Sequence, residues 1–153
     1  KNILRRDGAM PGDYICISKQ VGRGARGLKD LKNNILDSPY IKDYLRPIPK
    51  IELGKKISDL ANACIDTSDG LLVDMQKMLK ASGCGGEIYL DDIPVISDIN
   101  DVNRGDDYDL CFTIPSNKFY DDFIKIGVVS ESREIKLISN KGYDIEIKGY
   151  EHF

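Results

Sequence analysis

The sequence predicts a layered α/β or α+β domain built on a mixed β-sheet. Three observations predict it: apolar strings of strand character alternate with stretches of helical spacing, an antiparallel hairpin pattern closes the chain, and 153 residues suffice for one well-buried core. Hydrophobic residues make up 41% and charged residues 31%, a globular balance that argues against disorder. No repeat, low-complexity tract or linker divides the chain, so a single domain is expected over residues 1–153.

The elements follow in order. Pro11 and Gly12 break the backbone before a strand near residues 13–18, where Tyr14, Ile15 and Ile17 favour pleated structure. "VGRGARGLKDLKNNIL" is glycine-rich and then helix-like; Gly22, Gly24 and Gly27 match neither the Walker nor the dinucleotide spacing, so a turn into a helix is favoured over a phosphate loop. After Pro47 and Pro49, residues Ile51, Leu53, Ile57, Leu60 and Ala61 recur at helical spacing. "LLVDMQKMLKAS" predicts a helix with Leu71, Leu72, Met75, Met78 and Leu79 on its core face and Gly83 at its C-terminal end. "GEIYL" reads as a strand, "DDIPVISDINDVNRGD" as a polar loop and "DYDLCFTIP" as a strand ended by Pro115. "SNKFYDDFIKI" predicts a helix with Ser116 as N-cap and Phe119, Phe123 and Ile126 at helical intervals. "REIKLIS" and "YDIEIKG", joined at Asn140 and Gly142, predict the terminal hairpin.

Bulk chemistry narrows the partners. A formal net charge of -3 offers no basic surplus for nucleic acid or an anionic membrane. No apolar run reaches the roughly 18 residues of a membrane span, and no secretory core opens the chain. Cys16, Cys64, Cys84 and Cys111 are scattered without a C-x-x-C pair, which points to buried free thiols in a reducing cytoplasm. The single histidine, His152, leaves no material for histidine-based acid–base or metal chemistry.

Two acidic clusters carry the chemistry. In "ACIDTSDGLLVD", Asp66, Thr67, Ser68 and Asp69 stand before the glycine that opens a helix. Either Ser68 or Asp69 caps the helix through an amide two or three residues on, or the group holds a cation and a phosphate at a helix N-terminus. In "RGDDYDL", Asp106, Asp107 and Asp109 crowd a strand start. Carboxylates about 4 Å apart repel by about 4 kcal/mol in a partly buried setting. Solvated clusters need no partner; clusters meeting in a cleft need a cation, for which magnesium suits an all-oxygen set.

The strings "RRDGAMPGDYICIS", "LRPIPKIELG", "ANACIDTSDGLLVD", "KASGCGGEIYLDDIP", "GDDYDLCFTIP" and "KGYEHF" together resemble the C-terminal half of the thiamine-monophosphate kinase family, within the aminoimidazole ribonucleotide synthetase-like ATP-binding superfamily. The resemblance implies an α+β fold layered α/β/α, and magnesium- and ATP-dependent phosphorylation of thiamine monophosphate to thiamine diphosphate by direct in-line transfer. It implies magnesium ligation by Asp66 and Asp69, nucleotide contacts from Arg6 and Ser68, and thiamine-substrate contacts from Asp106 and Phe153. It also implies a cytoplasmic homodimer joined through an N-terminal ATP-binding domain outside this chain, without which turnover is not expected. Alternatives are another superfamily member, of the hydrogenase-maturation or aminoimidazole ribonucleotide synthetase-like kind, and a non-catalytic binding domain. The chain departs from the family pattern at Arg104, where a second glycine is usual, and at Lys19, Arg23 and Arg26 in the 19–26 loop.

Overall fold

The computed structural model describes residues 3–149. Six strands form one sheet: β1 (Tyr14–Ile17), β2 (Ala63–Asp66), β3 (Gly85–Tyr89), β4 (Leu110–Ile114), β5 (Ile124–Ser130) and β6 (Ile135–Ile138). Their order is β2-β4-β1-β5-β3-β6. Every neighbouring pair is antiparallel except β3 and β6, which run parallel from Gly86↔Ile135 to Tyr89↔Ile138, so the sheet is mixed. Among the described residues four α-helices accompany it: α1 (Arg23–Lys32), α2 (Tyr40–Leu45), α3 (Ile51–Ile57) and α4 (Leu71–Ala81).

The period-two alternation of the strands loads both faces of the sheet. Ile15, Ile17, Ala63, Cys111, Ile88 and Val129 join Leu71, Leu72, Met75, Met78 and Leu79 of α4 in the larger core. Their strand neighbours Cys16, Phe112 and Ile114 turn to the other face, where Ile57 and Leu53 of α3 and Phe123 cover them. Phe112 meets Phe123 edge-on, with ring centroids 5.0 Å apart. The α+β layering expected from the sequence is therefore realised, and Met75 and Met78 of α4 are core.

Two predicted elements are corrected. The helix expected over "SNKFYDDFIKI" is a single 3₁₀ turn, Ser116–Lys118, followed by β5. Ser116 makes no cap; Phe119 reaches the smaller core from extended backbone and Phe123 from the bend just before β5. The apolar spacing there fits either period, and β5 is claimed by β1 on one side and β3 on the other, a non-local pairing that outweighs local pattern. The terminal hairpin is also absent. Ile135–Ile138 pairs in parallel with β3, while the following run crosses to the 99–103 turn, where Asn103 Nδ2 donates to Glu146 O at 2.7 Å and Lys148 N to Asn103 Oδ1 at 3.1 Å. The linking turn is captured by Asp91, which accepts from Ser139 Oγ and Asn140 N, both at 2.7 Å. Ile145 and Ile147 then pack on the larger core without joining the sheet.

Candidate active site

The two acidic clusters lie together because β2 and β4 are antiparallel neighbours, with Asp66 opposite Leu110. The C-terminal end of β2 thus meets the N-terminal end of β4. Backbone bonds carry the pairing past the strands: Thr67 N donates to Asp109 O at 2.8 Å, Tyr108 N to Thr67 O at 2.9 Å, and Asp106 N to Ser68 O at 3.0 Å. Gly105 makes this approach possible, since a Cβ there would stand 2.5 Å from Ser68 O.

On one side of this junction is an open cavity of about 620 Å³ whose rim includes Arg6, Asp66, Ser68 and Asp69. Arg6 arrives from a segment laid along the outer edge of β2, where Cys64 N donates to Arg5 O at 2.8 Å. Four residues singled out by sequence are therefore brought together. Asp74, Lys77 and Lys50 share the cavity and were not singled out. Helical periodicity could have found the first two, since α4 starts at Leu71 and Asp74 and Lys77 follow on one side of its first turns.

The turn before α4 is held from within the helix. Gly70 is the N-cap residue of α4, with φ 136°, and has no side chain to cap it. Asp74, inside the helix, accepts from the backbone N–H of Asp69 at 2.8 Å and of Gly70 at 3.3 Å. The Asp69 side chain remains on the cavity rim. Lys77 Nζ donates to Asp69 Oδ2 at 2.5 Å and to Asp74 Oδ1 at 2.8 Å. These two carboxylates, Asp69 first, raise the Lys77 pKa above its ordinary value.

Asp106 is placed elsewhere. It lines a separate cavity of about 300 Å³ beside α1, with Ala25, Leu28 and Arg104. Its backbone is left-handed, φ 68°, as is that of Tyr108, φ 46°. The other aspartates of its cluster are satisfied within the chain: Asp107 accepts from the amides of Gly22 and Gly24 at 2.8 and 2.9 Å, and Asp109 from Ser18 Oγ at 2.6 Å. The cluster thus needs no cation to hold it. Gly22 serves as the turn into α1, while Gly24 and Gly27 lie inside the helix; the Gly22 and Gly24 amides face a carboxylate of the same chain. Phe153 lies outside the described residues.

Among the described residues, no group of three His, Cys, Asp or Glu side chains could hold a metal ion by itself. Asp66 and Asp69 on one rim are an oxygen pair of the kind magnesium uses when its remaining ligands are waters and phosphates, so they fit a partial site. All four cysteines are free thiols; Cys16, Cys84 and Cys111 are buried, and Cys64 is half-buried at the cavity. Among the described residues no helix is long and apolar enough to cross a membrane.

Comparison with known proteins places this geometry in a family. Thiamine-monophosphate kinase of Salmonella typhimurium is 35% identical over an alignment 179 positions long, which covers 98% of this chain and 55% of the relative. A structure of AaThiL complexed with AMPPCP and TMP superposes with a TM-score of 0.86 at 30% identity, over 99% of this chain and 55% of that one. Escherichia coli HypE, a hydrogenase maturation protein, superposes with a TM-score of 0.73 over 99% of this chain and 55% of that one, but at 19% identity it shares the fold alone. The chain spans about half the length of the curated relatives it matches. With residues 11–142 matching the family described as AIR synthase related protein, C-terminal domain, and with the mixed sheet of its solved relatives, the chain belongs to that family.

Proposed function

We propose that this chain is the C-terminal domain of an enzyme that transfers a phosphoryl group from ATP to thiamine monophosphate, yielding thiamine diphosphate by direct in-line displacement. One observation carries the reading: Arg6, Asp66, Ser68 and Asp69 meet on one cavity rim, in a chain 30% identical to a protein complexed with AMPPCP and TMP. Phosphoryl transfer asks for positioning and charge neutralisation more than for covalent chemistry, and a rim of two carboxylates, a guanidinium and a hydroxyl suits it.

Each residue has a role in this reading. The fork of Arg6 binds phosphate oxygens, and Ser68 contributes a nucleotide contact. Asp66 and Asp69 would hold magnesium together with nucleotide phosphates and ligands from outside this chain. When bound, the ion neutralises charge on the phosphates. Lys77 holds Asp69 in place on the rim. Asp106, in the separate cavity beside α1, contacts the thiamine substrate, as does Phe153. The remaining half of the enzyme, an N-terminal domain that also joins two copies into a homodimer, completes the site in the cytoplasm. The net charge of -3 gives nucleic acid and membranes no part in it.

The test is turnover by the full-length enzyme, followed as thiamine diphosphate formed from thiamine monophosphate and ATP. Asp69→Asn is expected to cut kcat/KM by about 100-fold or more while the fold persists. Undiminished turnover by a folded variant would remove Asp69 from the machinery, and no thiamine diphosphate from the parent enzyme would remove the reaction.

A further inference from the structure

Asp107 sits between the residue given to the substrate and the strand that follows, and it lines neither cavity. Its two oxygens are divided between two amides, Oδ2 accepting from Gly22 N at 2.8 Å and Oδ1 from Gly24 N at 2.9 Å. These are donors at the N-terminus of α1, which has no side-chain cap of its own and no acid in its first turn. The carboxylate thus supplies from 83 to 85 residues away what a local cap supplies in other helices. Burial pushes the Asp107 carboxyl above its ordinary pKa, and the amides of Gly22, Gly24 and Arg23 pull it back.

The residues on either side of Asp107 are held in a conformation they do not choose. Asp106 and Tyr108 both have positive φ, at 68° and 46°, an arrangement that non-glycine residues keep only when surrounding structure imposes it. Gly24 fits the imposed shape, since a Cβ there would lie 2.3 Å from Asp106 O. On the opposite side the loop is tied to the turn that follows β2, through Asp106 N and Ser68 O.

We propose that Asp107 is a positioning residue: its carboxylate, clamped by the Gly22 and Gly24 amides, locks its neighbours Asp106 and Tyr108 in the left-handed form that presents Asp106 to the substrate cavity. The inference rests on the substrate contact proposed for Asp106. With the clamp loosened, the loop relaxes toward negative φ and Asp106 leaves the cavity wall. Asp107 touches no substrate and acts through its neighbour.

A double-mutant cycle in the full-length enzyme tests it, using Asp106→Asn, Asp107→Asn and the pair, with KM measured separately for thiamine monophosphate and ATP. Asp107→Asn keeps the side-chain shape but only one good acceptor. It is expected to raise KM for thiamine monophosphate by about tenfold, to leave KM for ATP within about twofold, and to add little on the Asp106→Asn background. Amide hydrogen exchange gives a readout independent of turnover: residues 105–109 are expected to exchange faster in Asp107→Asn, with the core strands unchanged. An equal KM penalty for Asp107→Asn on both backgrounds, or unchanged exchange in the loop, overturns the positioning role while the Asp106 contact stands. An Asp106→Asn enzyme with unaltered KM for thiamine monophosphate removes the substrate contact itself, and the positioning role falls with it.

Discussion

The backbone N–H of Asp69 donates to Asp74 Oδ2 at 2.8 Å, so the turn before α4 is capped from inside the helix it precedes. The same carboxylate takes Gly70 N, and its second oxygen takes Lys77. Asp74 is buried, and the Asp69 and Gly70 amides are both bonded to it. Asp74→Ala is expected to cost about 1–3 kcal/mol of stability, because it strands two amides as well as removing a helix cap. Urea denaturation measures it, and a loss below about 0.5 kcal/mol would show that the cap carries no weight.

The close packing of α1 against the 106–109 loop makes Gly24 intolerant of a side chain. A Cβ would stand 2.3 Å from Asp106 O and 2.7 Å from its carbonyl carbon, both backbone atoms that cannot swing aside. Gly24→Ala, helix-favouring at an ordinary site, is expected instead to destabilise by about 1–3 kcal/mol. Gly54 in α3 provides the contrast, because a Cβ there meets nothing within 4 Å. Gly54→Ala is expected to stabilise by about 0.5–1 kcal/mol, and thermal unfolding of the two variants should move in opposite directions.

Asp30 links α1 to the turn that follows it. Its buried carboxylate accepts from Ser38 Oγ at 2.6 Å and from Arg26 Nε at 2.8 Å. The hydroxyl first, and then the guanidinium, hold its pKa below the ordinary carboxylate value. A depressed folded-state pKa contributes stability above the unfolded value, near 3.9, and loses it as pH falls through the folded value. Asp30→Asn is therefore expected to melt below the parent at neutral pH, with the gap closing below about pH 4. A gap that stays constant into that acid range would sink the assignment.

Cys64 borders the cavity yet is not poised to react. Burial pushes its thiol up to about 12, with the charge of Asp66 adding to the effect, and burial likewise pushes Cys16 up to about 12. Burial also holds the Cys111 thiol well above its ordinary value. Alkylation proceeds through the thiolate. Intact mass after brief iodoacetamide treatment at neutral pH is expected to show an unmodified folded chain, and four adducts after denaturation, one per cysteine. Rapid single labelling at Cys64 in the folded chain would contradict its environment.

The sequence by itself determined the class of fold, the core face of α4 and the strands β1, β3 and β4, because these rest on patterns read within a dozen residues: two-residue alternation, helical spacing and glycine at turns. It also picked out Arg6, Asp66, Ser68 and Asp69, which the fold brings to one rim. Only the tertiary structure decided that residues 124–130 form a strand, since their place between β1 and β3 depends on chain far away. It decided the parallel β3–β6 pairing over a hairpin, with Asp91 capturing the turn from 48 and 49 residues away. It also divided the aspartates. Asp66 and Asp69 went to one cavity and Asp106 to another, while Asp107 and Asp109 were spent on the 18–24 segment. Side-chain chemistry is local and can be read from a string of residues; which donor reaches a buried carboxylate is settled by strand pairing across the whole chain, since a charge taken out of water must find its partner wherever the fold supplies one.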